Sequence, residues 1–286
     1  MAGSMDAGTL VLIAIGLAAA FVNGALGYGF SSLTVPVALL FQTSRVLNPA
    51  LILVELFLNL YVLFINRASV PAVWRRVYPV ILGLLPGVAL GSYLLASLHP
   101  AWVKVATYSV LLPLILLQAA GLRRALAAEK ALGLPFGAGL GLLYSVTTLS
   151  GPPLALFFNN QGLVKRDFRA ALALIRVAET TLTAAAYGWL GLFTAQSFGI
   201  ASTLLPCVLV GVPLGAWLVR RFDAETFRRI CMSFDVWVVG FGLSRVLAEL
   251  KLAQGPSAYG PMVAAIALDA YLLLAFFRSR PVAAQA

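Results

Sequence analysis

Charge is what this chain has least of. Asp, Glu, Lys and Arg make up 10% of its 286 residues, apolar residues make up 61%, and the mean hydropathy is +0.96. A soluble fold of that composition would carry more apolar surface than it could bury, so the chain reads as an integral membrane protein. Histidine is reduced to His99, beside Pro100 in a turn at a membrane edge. One histidine excludes a multi-histidine metal site, and this one reads as a surface residue. The sequence has no His-Glu-x-x-His motif and no Walker-type phosphate loop, so neither zinc hydrolysis nor ATP-driven transport is expected and no cofactor is implied. Cysteine is limited to Cys207 and Cys231, both inside apolar runs, where they read as small hydrophobes. No Lys or Arg precedes the first apolar run and Asp6 stands there instead, unlike a secretory signal, so the first span is expected to stay.

Acidic residues are half as numerous as basic ones, 10 against 20, for a formal net charge of +10. That excess follows from the loops, and no basic helix or aromatic-basic platform accompanies it, so nucleic acid is excluded as a partner. What is present in quantity is apolar length. Runs of about 20 residues, the length a helix needs to cross hydrocarbon, lack the ten-residue alternation of an outer-membrane barrel. Length and punctuation predict helical segments at 9–29, 31–42, 46–66, 77–98, 101–121, 134–149, 152–161, 170–190, 196–219, 226–250 and 258–278. The 31–42 and 152–161 pieces are short for a full crossing, and each is read as a half-helix folded back on the segment before it.

The chain also repeats itself. Gly16, Ala20 and Gly24 match Gly133, Gly137 and Gly141, 117 positions on, and Val35-Pro36 matches Pro152-Pro153. Further along, Gly87 and Gly91 match Gly211 and Gly215 at an offset of 124. The expected organisation is an N-terminal tail (1–8), a first membrane repeat (9–122), a cytoplasmic linker (123–132), a second repeat (133–250) and an added C-terminal span with its tail (251–286). Each repeat would hold one broken hairpin and three spans. The positive-inside rule places the groups at Arg67 to Arg76, Arg123 to Lys130, Lys165 to Arg169, Arg220 to Arg229 and Arg278 to Arg280 in the cytoplasm, with the N-terminus outside and the C-terminus inside. The repeats then have opposite orientation. The expected fold class is an all-α integral membrane protein of two inverted-topology repeats.

Paired interruptions of apolar segments at matching places of two halves point to a transporter's binding site. Here they are Gly27 to Pro36 and Tyr144 to Pro153. A half-helix that begins at depth offers free N–H groups and a positive dipole end, which favour an anion. Ser31, Ser32, Thr34, Thr147, Thr148 and Ser150 would add hydroxyl donors, Gly151 would let a ligand approach the backbone, and Pro36 and Pro152-Pro153 suit a first helical turn. The plainer alternative is that small and hydroxyl residues only allow close helix packing. Asn23 and Tyr28 flank the first interruption as candidate cavity residues. Arg176 is the basic residue deep within a span: it would neutralise an oxyanion, pair with Glu179 one turn away, or meet Glu55, its equivalent in the repeat register. Asn59, equivalent to Thr180, is a further polar ligand candidate. Glu55, Glu179, Asp235 and Asp269 are the acids available for coupling to a proton or sodium ion, against packing roles for each.

The run from Asn23-Gly24-Ala25-Leu26-Gly27-Tyr28-Gly29 through Leu33-Thr34-Val35-Pro36, with Ser150-Gly151-Pro152-Pro153-Leu154, resembles the TauE/SafE sulfite exporter family over about residues 9–250. Phe30-Ser31-Ser32 stands where more glycine is usual in that family, and Ser150 replaces the first glycine of its Gly-Gly-Pro-Pro run. The resemblance implies a duplicated permease for sulfite, a sulfonate or a related organosulfur anion. The expected partners are therefore a small anionic substrate, a coupled proton or sodium ion, the lipid bilayer and, in an oligomer, further copies of the chain. A passive anion channel and a membrane scaffold without transport are the competing classes.

Overall fold

A computed structural model describes residues 7–26, 29–120, 129–158, 165–218 and 224–279. Among these the chain is helical throughout, in the order α1 (Ala7–Leu26), α2 (Phe30–Ala38), α3 (Ser44–Asn66), α4 (Val70–Ser97), α5 (Pro100–Ala119), α6 (Glu129–Thr147), α7 (Gly151–Phe158), α8 (Lys165–Trp189), α9 (Ala195–Leu218), α10 (Ala224–Glu249) and α11 (Gly260–Ser279). Both interruptions are real breaks. The first passes through Gly29 at φ 109°, a left-handed conformation natural only to glycine. The second passes through Thr148 at φ 57°, an uncommon place for a residue with a β-branched side chain. Pro152 and Pro153 fall in the first turn of α7, as their missing N–H groups favour. Pro36 does not: it lies near the C-terminal end of α2, whose carbonyls are satisfied from outside by Tyr108, donating to Pro36 O at 3.1 Å, and Lys104, donating to Leu39 O at 2.7 Å.

Six stretches are long and apolar enough to cross a membrane: Gly8–Ala25, Ser44–Ser97 (which contains α3 and α4), Pro100–Leu117, Ala195–Trp217, Arg229–Glu249 and Gly255–Arg278. The chain is thus a multi-pass helical membrane protein. Helix α8 is not among these stretches, since it carries Arg176, Glu179 and a run of threonines, and it packs instead between α3 and α4. Outward faces are apolar, with Phe64, Leu209, Val263 and Tyr271 all exposed, as a surface meeting lipid tails requires.

The tightest helix pairs are α4 with α6 and α1 with α9. Backbone meets backbone in both: a Cβ on Gly83 or Gly87 would strike the carbonyl oxygens of Leu134 and Ala138, and one on Gly211 or Gly215 would strike those of Leu17 and Phe21. These contacts correct the repeat register. Leu134 and Ala138 stand 117 positions after Leu17 and Phe21, so the helix pairs match only if Gly211 and Gly215 correspond to Gly83 and Gly87, an offset of 128 rather than 124. Glycines spaced by four along α4 leave the register ambiguous by one turn, and packing resolves it. Helix α11 lies against α10 and α5, pinned by Arg229, whose Nη2 is 2.9 Å from Asp269 Oδ1 with both side chains buried.

Enlarging the close-contact glycines should therefore loosen the bundle. Gly87→Leu and Gly215→Leu are each expected to destabilise by about 1–3 kcal/mol through overpacking. Gly139→Ala, whose Cβ would meet nothing within 4 Å, is expected to be neutral or stabilising by up to about 1 kcal/mol. Thermal unfolding midpoints in detergent, with size-exclusion profiles, check both outcomes.

Candidate functional site

The polar residues of the interior helices fall at helical spacing and so share faces. On α3, Glu55 and Asn59 are four apart; on α8, Arg176, Thr180 and Thr183 follow at four and three, with Glu179 adjoining Thr180. Because α3 packs on α8, the two faces meet in the protein interior. Glu55 is fully buried and accepts from the Ser31 hydroxyl at the start of α2, from the Tyr144 hydroxyl at 2.6 Å and from Arg176 Nη2 at 3.3 Å. Asn59 Nδ2 donates to Thr180 Oγ1 at 3.0 Å, and the Thr180 hydroxyl donates to the Arg176 carbonyl at 2.6 Å. Of the three fates open to Arg176 from sequence, the structure shows the contact with Glu55.

The second break is held by side chains from other helices. Asn48 Nδ2 donates to Val146 O at 2.6 Å, and the Tyr187 hydroxyl donates to Ser145 O. The Thr147 and Thr148 hydroxyls donate to the backbone oxygens of Leu143 and Thr147, each at 2.7 Å. Backbone that leaves the helix in hydrocarbon needs such partners, and here they come from α3, α8 and the break itself. Ser150, buried just before α7, turns its hydroxyl toward the equally buried Glu179 carboxyl, beyond the distance or angle of an ordinary hydrogen bond.

A cavity of about 160 Å³ lies between α1, α3, α8 and α9. Its outer part is lined by the exposed Arg169 and Ala216 and by Asn66, at helix ends; its inner part is lined by the buried Asn23, Asn59 and Arg176. Two rungs result, Asn66 with Arg169 and Asn59 with Arg176, seven residues apart on each helix and therefore about 10 Å apart along the axis. Among the described residues no Asp or Glu lines the cavity. Two of its inner donors, Asn23 Nδ2 and Arg176 Nε, are buried without a partner. Amide and guanidinium N–H groups that converge on a hollow without a carboxylate can hold a small anion.

The sequence-selected residues thus separate into groups. Asn23, Asn59 and Arg176 meet at the cavity, while Ser31, Glu55, Glu179 and Ser150 form the adjoining interior cluster. The expectation of an open cradle of hydroxyls is corrected at the first break, where the Ser31 hydroxyl is taken up by Glu55, and at Thr147 and Thr148, whose hydroxyls serve the backbone. Ser32 and Thr34 are buried on α2, and the Thr34 hydroxyl has no partner; Gly151 is buried at the start of α7. Tyr28 lies outside the described residues. Asp235 is buried on α10 with Oδ1 unpartnered. Asp269, expected from sequence as an isolated acid, is instead paired with Arg229 and accepts from Ser233 and Trp237 on α10, away from the cavity lining. Tyr144, Thr180, Asn66 and Arg169 were not selected as ligands. The seven-residue spacing of Asn59 with Asn66 and Arg169 with Arg176 was the available signal, but only the pairing of α3 with α8 gives it meaning.

Removing the partner of a buried charge costs more than removing an unpaired acid. Glu55→Ala is expected to destabilise by about 3–5 kcal/mol because Arg176 is left uncompensated. Glu179→Gln removes no hydrogen bond and is expected to change stability by less than about 1 kcal/mol. Denaturant unfolding of the purified variants distinguishes the two.

The family model described as sulfite exporter TauE/SafE matches residues 12–241 of the chain. Over 184 residues, covering 62% of this chain and 70% of the relative, the chain is 29% identical to a protein of Cupriavidus necator named "Probable sulfite/organosulfonate exporter TauE". No solved structure matches it.

Proposed function

The chain belongs to the sulfite exporter TauE/SafE family, and from that premise we propose that it is a secondary transporter carrying a small sulfur-containing oxyanion, sulfite or an organosulfonate, across the bacterial inner membrane by alternating access. The observation that carries this assignment is the cavity: its inner wall presents Asn23, Asn59 and Arg176 as donors and no carboxylate. A sulfonate or sulfite group offers three oxygens in a compact pyramid, suited to a guanidinium and two carboxamides. The name of the Cupriavidus relative supports the same substrate class.

The repeats at 9–122 and 133–250, with the linker at 123–132 and the added span at 251–286, are assigned opposite orientations. Exchanged packing supports this: α1 meets α9 as α6 meets α4, and α3 and α5 meet their own equivalents, α8 and α10. With the Arg67, Arg75 and Arg76 side in the cytoplasm, the outer rung at Asn66 and Arg169 opens to the cytoplasm, the side from which an exporter loads. The N-terminus is then outside and the C-terminus inside. The Ser31–Glu55–Tyr144–Thr180 cluster lies beyond the inner rung, which favours a gated carrier over an open channel.

Asn23→Ala provides the cleanest test, because its amide nitrogen has no bond to lose in the empty protein. The variant is expected to fold with an unchanged melting temperature and to bind sulfite about tenfold more weakly, the loss of one hydrogen bond to a charged group. In proteoliposomes the wild type is expected to give saturable sulfite flux that Arg176→Ala abolishes. Flux that rises linearly with concentration would retire the carrier for a channel, and no flux and no thermal shift would retire transport altogether.

A further inference from the structure

Three ionisable side chains meet in the dry interior next to the cavity: Glu55, Arg176 and Glu179. The groups facing Glu55 can be stated element by element. Helix α8 presents Arg176 and Glu179, α6 presents the Tyr144 hydroxyl, and α2 presents the Ser31 hydroxyl. Helix α9 carries no charged residue among the described residues, the only charged residues of α4 are Arg75 and Arg76 in its first two turns, and Lys104 of α5 is bonded to the end of α2. Two carboxyls therefore lie near one guanidinium, which bonds Glu55 alone. Burying a net negative charge is costly, and the two acids are treated very differently: Glu55 has three donors, whereas Glu179 has only the Ser150 hydroxyl near it, outside ordinary hydrogen-bond geometry. Electroneutrality of the empty cluster then needs one proton on the two carboxyls, and the geometry leaves Glu55 as the partner of Arg176.

Glu55 then stands where a substrate would. Its Oε1 accepts from Ser31 at the start of a half-helix and pairs with Arg176, two groups that suit an incoming oxyanion. An anion reaching Arg176 from the cavity brings a second negative charge to the guanidinium, and the interior regains neutrality only if Glu55 takes up a proton. Resting on the anion-transport reading above, we propose that Glu55 is a tethered counter-anion that must be protonated for substrate to bind, so that the protein moves one proton in the same direction as each monovalent anion. The charge count closes. Before loading it is Glu55 negative, Arg176 positive and Glu179 neutral; after loading it is Glu55 neutral, Arg176 positive, anion negative and Glu179 neutral. On release the proton leaves the Glu55 carboxyl to the water on the side that receives the anion, and the Arg176 pair reforms. Net flux runs down the combined gradient of proton and anion, in either direction.

This differs from an Arg176–Glu55 pair that merely holds α3 to α8. A structural pair has no reason to make anion affinity depend on pH, whereas obligatory uptake of one proton makes it fall as pH rises, by up to about tenfold per pH unit, by linkage. The probe should be methanesulfonate, whose own charge is constant from pH 5 to 9, unlike that of sulfite.

Two measurements decide the matter. In the first, methanesulfonate and sulfite are added to wild type and to Glu55→Gln at pH 6, 7 and 8, and binding is read by thermal shift. Wild-type affinity for methanesulfonate is expected to drop with each pH unit, and Glu55→Gln, permanently in the neutral form, is expected to show the same affinity at all three. In the second, proteoliposomes with a trapped pH-sensitive dye receive an inward methanesulfonate gradient; the wild type is expected to acidify the lumen and Glu55→Gln to lose that acidification. Should Glu55→Gln fail to fold, wild-type acidification and the pH dependence of its affinity remain decisive. Methanesulfonate flux without lumen acidification, or pH-independent affinity in the wild type, overturns the proton role while leaving the transporter intact. If neither sulfite nor methanesulfonate binds or moves in the wild type, both assignments fall together.

Discussion

Hydrocarbon offers no hydrogen-bond partner, and the interior of this protein is organised around that fact. Two helices stop and restart, at Gly29 and at Thr148, and every group set free there must be answered from a neighbouring helix. Asn48 and Tyr187 reach the carbonyls of Val146 and Ser145; Tyr108 and Lys104 reach the end of α2. Such reach demands that the helices lie close, which is why α4 meets α6 and α1 meets α9 through glycine faces. Lysine at the C-terminal end of a half-helix adds a favourable interaction with its dipole. The breaks, the glycines and the buried polar side chains are one structural solution.

Much of this was legible in the sequence because lipid imposes simple length rules. Apolar runs and their punctuation gave α3, α8 and α9 within a few residues of their observed limits, and glycine followed by proline marked both breaks. The register set Glu55 opposite Arg176 as one of three fates for the arginine and made Asn59 the equivalent of Thr180; the structure shows both pairs in contact. Register failed where the pattern was periodic in itself: glycines four apart on α4 permit two alignments with α9 that differ by one turn.

The sequence singled out Asn23, Asn59 and Arg176 but not the cavity that they line together. Ser31 looked like a free donor because its carboxylate partner is 24 positions away on another helix. Tyr144 belonged to the second interruption, yet its hydroxyl turns to Glu55, on another helix. Asp269 looked like an isolated acid in an apolar run, and Arg229, its partner, looked like a member of a cytoplasmic charge cluster; only the packing of α11 on α10 joins them. The cavity needed four helices from both halves of the chain, and nothing local in the sequence brings Asn23 to Arg176.

A buried arginine facing only donors would be a poor carrier, because in a dry site it would hold an anion too firmly to release it. Conduction through a membrane requires binding strong enough to load and weak enough to leave. On the proposed scheme Glu55 meets that requirement by competing for Arg176 in the empty protein, where Ser31 and Tyr144 donate to it, and by giving way when it takes up a proton. The competitor keeps the guanidinium compensated between cycles, which spares the empty protein an unpaired buried charge. In that scheme selectivity for anions is assigned to the wall of Asn23, Asn59 and Arg176, and reversibility to the carboxylate just outside it. The two functions need different faces of one arginine, and the α3–α8 contact supplies both.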